Sequence, residues 1–178
     1  MVWLYQRYKY RIPKNDPLKL AQYTIPNPIL NFLTSSFNIN QSYFSSPVTC
    51  PIQLNQFYSP FPRNKIFGSL GKAFDHKWKG IWYAHPNNVI DLQQAIHWAR
   101  FAAKKDSSTI TILISPVTNW YQNPDPHSNP SPYTHIIAHF AADTIAYEEP
   151  TIPPELNIPR KILSILQILC IHHQNNNI

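Results

Sequence analysis

The stretch "WKGIWYAHPNN" (78–88) decides how this sequence is read, because it joins an apolar strand pattern to a polar His-Pro-Asn-Asn loop. Residues 80–84, "GIWYA", fit a short buried strand. Beyond the loop, Leu92, Ala95, Ile96, Ala99 and Ala102 or Ala103 recur at three- and four-residue spacing. That period predicts a helix over 89–105, and its basic end suits the negative pole of the helix dipole. "DSS" (106–108) breaks the pattern, and "TITILIS" (109–115) predicts a β-branched central strand. Strand, helix and strand in close succession predict a right-handed parallel crossover, hence an α/β sheet.

Upstream, "SPVTCPIQLNQFY" (46–58) has Thr49 as a cap candidate and apolar Ile52, Leu54 and Phe57, which predicts a short helix. "KIFGSLGKAF" (65–74) reads as strand and turn. Residues 1–46 are aromatic, Asn/Ser-rich and interrupted by Pro13, Pro17, Pro26 and Pro28, so an irregular arm is expected there. Downstream, the loop 116–134 is too long for a routine connection. "HIIAHFA" (135–141) predicts a strand, residues 147–161 are extended, and "ILSILQILCI" (162–171) closes as a strand or short helix. The domains expected are an arm over 1–45, an α/β domain over 46–171 and a polar tail over 172–178.

Composition limits the chemistry. The 178 residues suffice for one domain with a real core, and 43% of them are hydrophobic. Three glycines against eighteen prolines leave no P-loop and no G-x-G-x-x-G turn, and imply long, stiff connections. The net charge of +6 favours a polyanionic partner. Cys50 and Cys170 lack a C-x-x-C companion, which argues against zinc or redox motifs and suits a reducing compartment. No signal peptide is evident, and the run 162–171 is too short to span a bilayer, so an intracellular protein of cytoplasm or nucleus is expected.

Ligands of open α/β sheets sit beyond the carboxyl ends of the strands. That places His85, Pro86, Asn87 and Asn88 near Trp120 and Tyr121. His85, His135 and His139, with Asp91 or Asp125, can be drawn as a metal site, but read better as hydrogen-bonded core or surface histidines; no metal is expected. Glu148-Glu149 reads either as an acid–base pair or as a solvated edge. "QRYKYR" (6–11) and "HKWKGIWY" (76–83) mix rings with cations, the chemistry of single-strand stacking, although such rings also build cores.

The order "SSPVTCPIQLNQFYSPFP", "HKWKGIWYAHPNN", a helix, "TITILISPVTNWY" and "HIIAHF" resembles the phage-type and retroelement-encoded, Dam-like DNA N-6-adenine methyltransferases over residues 46–147. The resemblance implies a Rossmann-like, class I methyltransferase-type sheet, divergent or truncated, with long proline-rich loops. It also implies S-adenosylmethionine as cofactor and DNA as partner. An N-P-P-aromatic loop in that family accepts hydrogen bonds from the adenine amine and stacks on a flipped base. Position by position, His85 stands for the Asn, Pro86 matches the first Pro, Asn87 replaces the second, and Asn88 replaces the aromatic. Tyr83, Trp120 or Tyr121 then have to supply the stacking ring, and Arg63, Lys65, Lys77 and Lys79 the phosphate contacts. An acidic cofactor cluster is missing from 58–74. The expected function is therefore a mobile-element-derived methyltransferase-like pseudoenzyme with weak or lost methyl transfer. The alternative is a non-catalytic basic module that binds nucleic acid or protein.

Overall fold

A computed structural model describes residues 25–46, 49–50, 54, 56–59, 62–86, 89–116, 132–141, 144–149, 158–161 and 166–173. Helix α1 (Asn27–Phe37) leads into strands β1 (Gln41–Tyr43) and β2 (Gln56–Phe57). Two 3-10 turns, Pro62–Phe67 and Ala73–Asp75, precede β3 (Ile81–Ala84). Helix α2 (Val89–Lys105) then crosses to β4 (Ile110–Pro116). The remaining strands are β5 (Thr134–Phe140), β6 (Ile145–Glu149), β7 (Ile158–Lys161) and β8 (Leu166–Ile171).

This is a mixed α/β fold. Its main sheet has the order β2-β1-β3-β4-β8-β5, and β6 pairs with β7 in a separate antiparallel ribbon. Strands β2, β1, β3 and β4 are mutually parallel, and β3 and β4 are in register from Ile81 opposite Ile110 to Ala84 opposite Leu113. Strand β8 is antiparallel to both its neighbours, so β5 runs parallel to β4 with β8 wedged between them.

Alternation along β4 explains the two layers that cover the sheet. Leu113 faces one side, where Leu92, Ala95, Ile96, Ala99 and Ala103 of α2 pack over it together with Leu169 and Ile171 of β8. Ile112 and Ile114 face the other side, where Leu33 of α1 joins Tyr83, Ile168 and Cys170. Each fully buried aliphatic side chain in these layers contributes about 1.5–3 kcal/mol. Ala95, Ala99 and Ala103 are fully buried, and their small size lets α2 lie close to the strands. Helix α1 carries a proline in its first turn, where the missing N–H costs nothing, and ends at Asn38 with φ 53°, a left-handed cap that asparagine tolerates. Gly80, at φ 91°, turns the chain into β3 and accepts a hydrogen bond from Ile110 N at 3.0 Å, which starts the β3–β4 pair.

Several expectations hold. Strand β3, helix α2 over 89–105, strands β4 and β5 and the closing strand lie where periodicity puts them, and β3 and β4 are adjacent and parallel. Others are corrected. The stretch expected as an irregular arm supplies α1 and β1, because Leu30 and Leu33 bury against the sheet despite the flanking prolines. Of the helix expected from Thr49, residues 51–53 and 55 lie outside the described residues; Cys50 N donates to Ser46 O at 2.7 Å in a turn, and Gln56–Phe57 form β2 rather than helix. Residues 65–74 hold a 3-10 turn and the start of another rather than a strand.

Candidate functional site

The chain passes from β1 to β2 on one side and then to β3 on the other, so the order reverses between β1 and β3. The crevice beyond the carboxyl ends at such a reversal is where α/β sheets take ligands. Tyr43 is level with Ala84 in the register, which brings Phe44 and His85 out side by side.

The β1 rim is built from neutral hydroxyls. Tyr58 N donates to Ser42 O at 2.8 Å and Ser45 N to Tyr58 O at 3.0 Å, which carries the chain beyond β1 along that beyond β2. The hydroxyls of Ser42 and Ser45 are hydrogen-bonded to each other. Ser46 and Thr49 cap one another: Ser46 N donates to Thr49 Oγ1 and Thr49 N to Ser46 Oγ, both at 3.0 Å. Phe44, at φ 65°, holds a left-handed conformation that costs a non-glycine residue about 1–3 kcal/mol. Its ring is buried edge-on against Phe74, with centroids 5.1 Å apart, and this burial offsets the strain.

On the β3 rim, His85 is half-buried and Pro86 is buried. Desolvation pushes the His85 imidazole down to about 4, so it is neutral at physiological pH. A neutral ring offers one donor and one acceptor. Asn87, Asn88, Trp120 and Tyr121 lie outside the described residues. Tyr83 is 3% exposed within the layer under α1, and burial raises its phenol far above the ordinary value. Residues two apart share a strand face, and the Tyr83 ring lies 6.4 Å from the His85 ring, centroid to centroid.

Of the cations expected to contact phosphate, the Arg63 side chain lies outside the described set, and exposed Lys65 lines a cavity of about 260 Å³ with Lys72. Lys77 and Lys79 sit at the opposite end of the sheet from His85, where β3 begins, in a cavity of about 600 Å³. Helix α2 runs back antiparallel to the strands, and its carboxyl-terminal turns bring Trp98, Phe101 and Lys105 to the same cavity. The sequence reading missed this grouping. Its signal was present in "KWK" at the start of a strand and "KK" at the end of the crossover helix, which parallel topology returns to one end.

Asp125 and the side chains of Glu148 and Glu149 lie outside the described residues. His139 is exposed on β5, while His135 stacks on His172 with centroids 4.7 Å apart. No group of three or more metal-ligating side chains occurs among the described residues. Burial pushes the Cys50 thiol up to about 11 and the Cys170 thiol up to about 12, which removes the thiolate needed for nucleophilic work. No described helix is long and apolar enough to cross a membrane.

Fold and crevice thus define a mixed-sheet α/β protein whose described carboxyl-end rims carry hydroxyls and a neutral histidine. A family model described as "Phosphorylated CTD interacting factor 1 WW domain" matches residues 1–135 of the 178. The chain belongs to that family. No curated protein matches it. The match overturns the resemblance to phage-type and retroelement-encoded adenine methyltransferases. That resemblance rested on the succession strand, loop, helix, strand, which any α/β crossover produces. It also rested on tryptophans whose spacing the core itself dictates, since Trp78 and Trp82 are both buried, 3% exposed, against Tyr43.

Proposed function

We propose that this chain is a non-catalytic interaction module that binds a phosphorylated segment of another protein. The observation that carries the reading is the family match over residues 1–135, whose description names a factor that interacts with a phosphorylated partner. The net charge of +6 supports it, because a phosphoryl group brings about −1.5 to −2 charges at neutral pH. WW modules take proline-rich segments in aromatic-lined grooves. Here Trp78 and Trp82 are buried in the core, so the partner has to engage other rings and the lysines. Fluorescence anisotropy with one peptide in phosphorylated and unphosphorylated forms tests the reading. Binding confined to the phosphorylated form is expected, and equal or absent binding of both forms would sink it.

One observation favours a second reading. The parallel order β2-β1-β3-β4, with its reversal between β1 and β3, supports reading these strands as a Rossmann-like layer. On this reading the sheet descends from an S-adenosylmethionine-dependent methyltransferase and has lost the activity. The described crevice residues fit that cofactor poorly. Phe44 occupies the turn after β1 where such sites place glycine for close backbone approach, and no carboxylate stands among the described rim residues 44–46, 58–59 and 85–86. Calorimetric titration of S-adenosylmethionine is expected to give no binding heat; tight binding would restore an enzymatic interpretation.

A further inference from the structure

We infer that the cavity between the start of β3 and the end of α2 is where the phosphorylated segment docks, taking a phosphoserine or phosphothreonine together with an adjacent ring-bearing residue, proline or tyrosine. This rests on the interaction-module reading and adds the site to it. The cavity encloses about 600 Å³, enough for a phosphorylated side chain and one neighbour. Three lysines line it: Lys77 and Lys79 from the approach to β3, and Lys105 from the last turn of α2.

The arrangement suits an anion next to a ring. Lys105 Nζ lies 5.5 Å from the Phe101 ring centroid, a cation–π contact that holds the ammonium over an exposed aromatic face. Phe101 is 52% exposed on the second turn from the helix end, so its ring is available to a partner. Trp98, one turn earlier, is half-buried and touches Phe101 with centroids 6.3 Å apart, extending the apolar wall.

The opposing charges are accounted for. Asp106 is the carboxylate in the cavity wall, and its Oδ1 accepts hydrogen bonds from Ser108 N at 2.9 Å and Ser108 Oγ at 2.6 Å. Those bonds hold it in place at the helix end, and although its charge also acts on Lys79 and Lys77, three ammonium groups against one carboxylate leave the cavity net positive. The negative pole of α2 also points here, but Asp106 N occupies the Ala102 carbonyl at 2.9 Å, and Lys104 and Lys105 offset what remains. The second basic cavity, at Lys65 and Lys72, is smaller and contains the Asp75 carboxylate with no exposed phenyl ring in its wall, so it serves as the control.

The test uses the full chain and a short fluorescent peptide with phosphoserine between tyrosine and proline. Lys77→Ala/Lys79→Ala is expected to weaken binding at least tenfold, and Phe101→Ser about fivefold, with melting curves unchanged because all three side chains are exposed. Lys65→Ala/Lys72→Ala is expected to stay within twofold of the parent. If the parent protein binds the phosphopeptide and Lys77→Ala/Lys79→Ala binds it equally well, the cavity assignment falls while the interaction-module reading stands. If the parent binds no phosphopeptide, both fall. If a single-stranded oligonucleotide binds more tightly and is lost with the same variants, the occupant is a nucleic acid and the proposal is overturned.

Discussion

Tyr43 stacks on Trp82 with ring centroids 4.0 Å apart and planes 15° from parallel. Trp78 stacks on Tyr43 in the same way, at 4.1 Å and 14°, so the end of β1 is clamped between two indoles. Both indole N–H groups are satisfied, Trp78 Nε1 by Ala73 O at 2.8 Å and Trp82 Nε1 by Lys79 O at 2.6 Å. The clamp ties β1 to β3 across the site reversal, and the Lys79 carbonyl couples it to the basic cavity.

The hydroxyl at the centre of this clamp is buried with no partner among the described residues. Tyr43→Phe removes a desolvated polar group and is expected to leave stability unchanged or raise it by about 1 kcal/mol. Tyr43→Ala empties the clamp and is expected to cost about 3–5 kcal/mol. Urea unfolding of the two variants against the parent measures both, and a destabilised Tyr43→Phe would show that the hydroxyl is bonded.

Helix α2 approaches the sheet through fully buried alanines. Ala99→Leu inserts methylenes where no space exists and is expected to cost about 1–3 kcal/mol. Phe101→Ala, on the exposed side of the same helix, is expected to change stability by no more than about 0.5 kcal/mol. Thermal melts of the pair read the asymmetry; equal effects would mean that α2 does not lie on β4.

Burial lowers the pKa of His85 to about 4, and of His76 and His172 in the same direction. The unfolded chain therefore takes up protons first as pH falls below 6.5, and the folded chain follows near its own lower values. Stability is fully present above pH 6.5 and is lost progressively toward pH 4, with His85 contributing about 3 kcal/mol to the loss. Melting temperatures at stepped pH are expected to fall over that window, and His85→Asn, which cannot titrate there, is expected to flatten the slope. An unchanged slope in His85→Asn would mean that His85 titrates normally in the fold.

With its thiol pushed up to about 12 and its side chain buried, Cys170 is expected to resist an aromatic disulfide reagent at pH 8. Cys50, half-buried and raised to about 11, is expected to react slowly. Reaction of both thiols at the rate of a free thiol in the folded protein would contradict their packing on β8 and in the turn after β1.

The crossover was legible from end to end because its determinants are local. Period-3.6 alanines, a β-branched run and the "DSS" break each depend on a few neighbouring residues, and all three survived in α2, β4 and the turn between them. Strand β1 was not legible: "QSY" is three residues long, and what makes it a strand is pairing on both edges, to β2 and β3. The same holds for Gln56–Phe57, whose apolar spacing suits a helix until β1 supplies a partner.

The candidate sites divide along the same line. His85 and Pro86 could be placed at a strand end from sequence, because the end of an apolar run is a local property. That Tyr83 is buried under α1, that Phe44 fills the turn after β1, and that Lys77 and Lys79 belong with Phe101 and Lys105 rather than with His85 could not. Those facts depend on which face each strand turns to the core and on the antiparallel return of α2 along the sheet. By itself, the sequence determined the crossover, the scarcity of glycine that precludes a phosphate-cradling loop, and the excess of positive charge. The tertiary structure alone decided where that charge gathers, because residues distant in the chain meet only once strands and helix are packed.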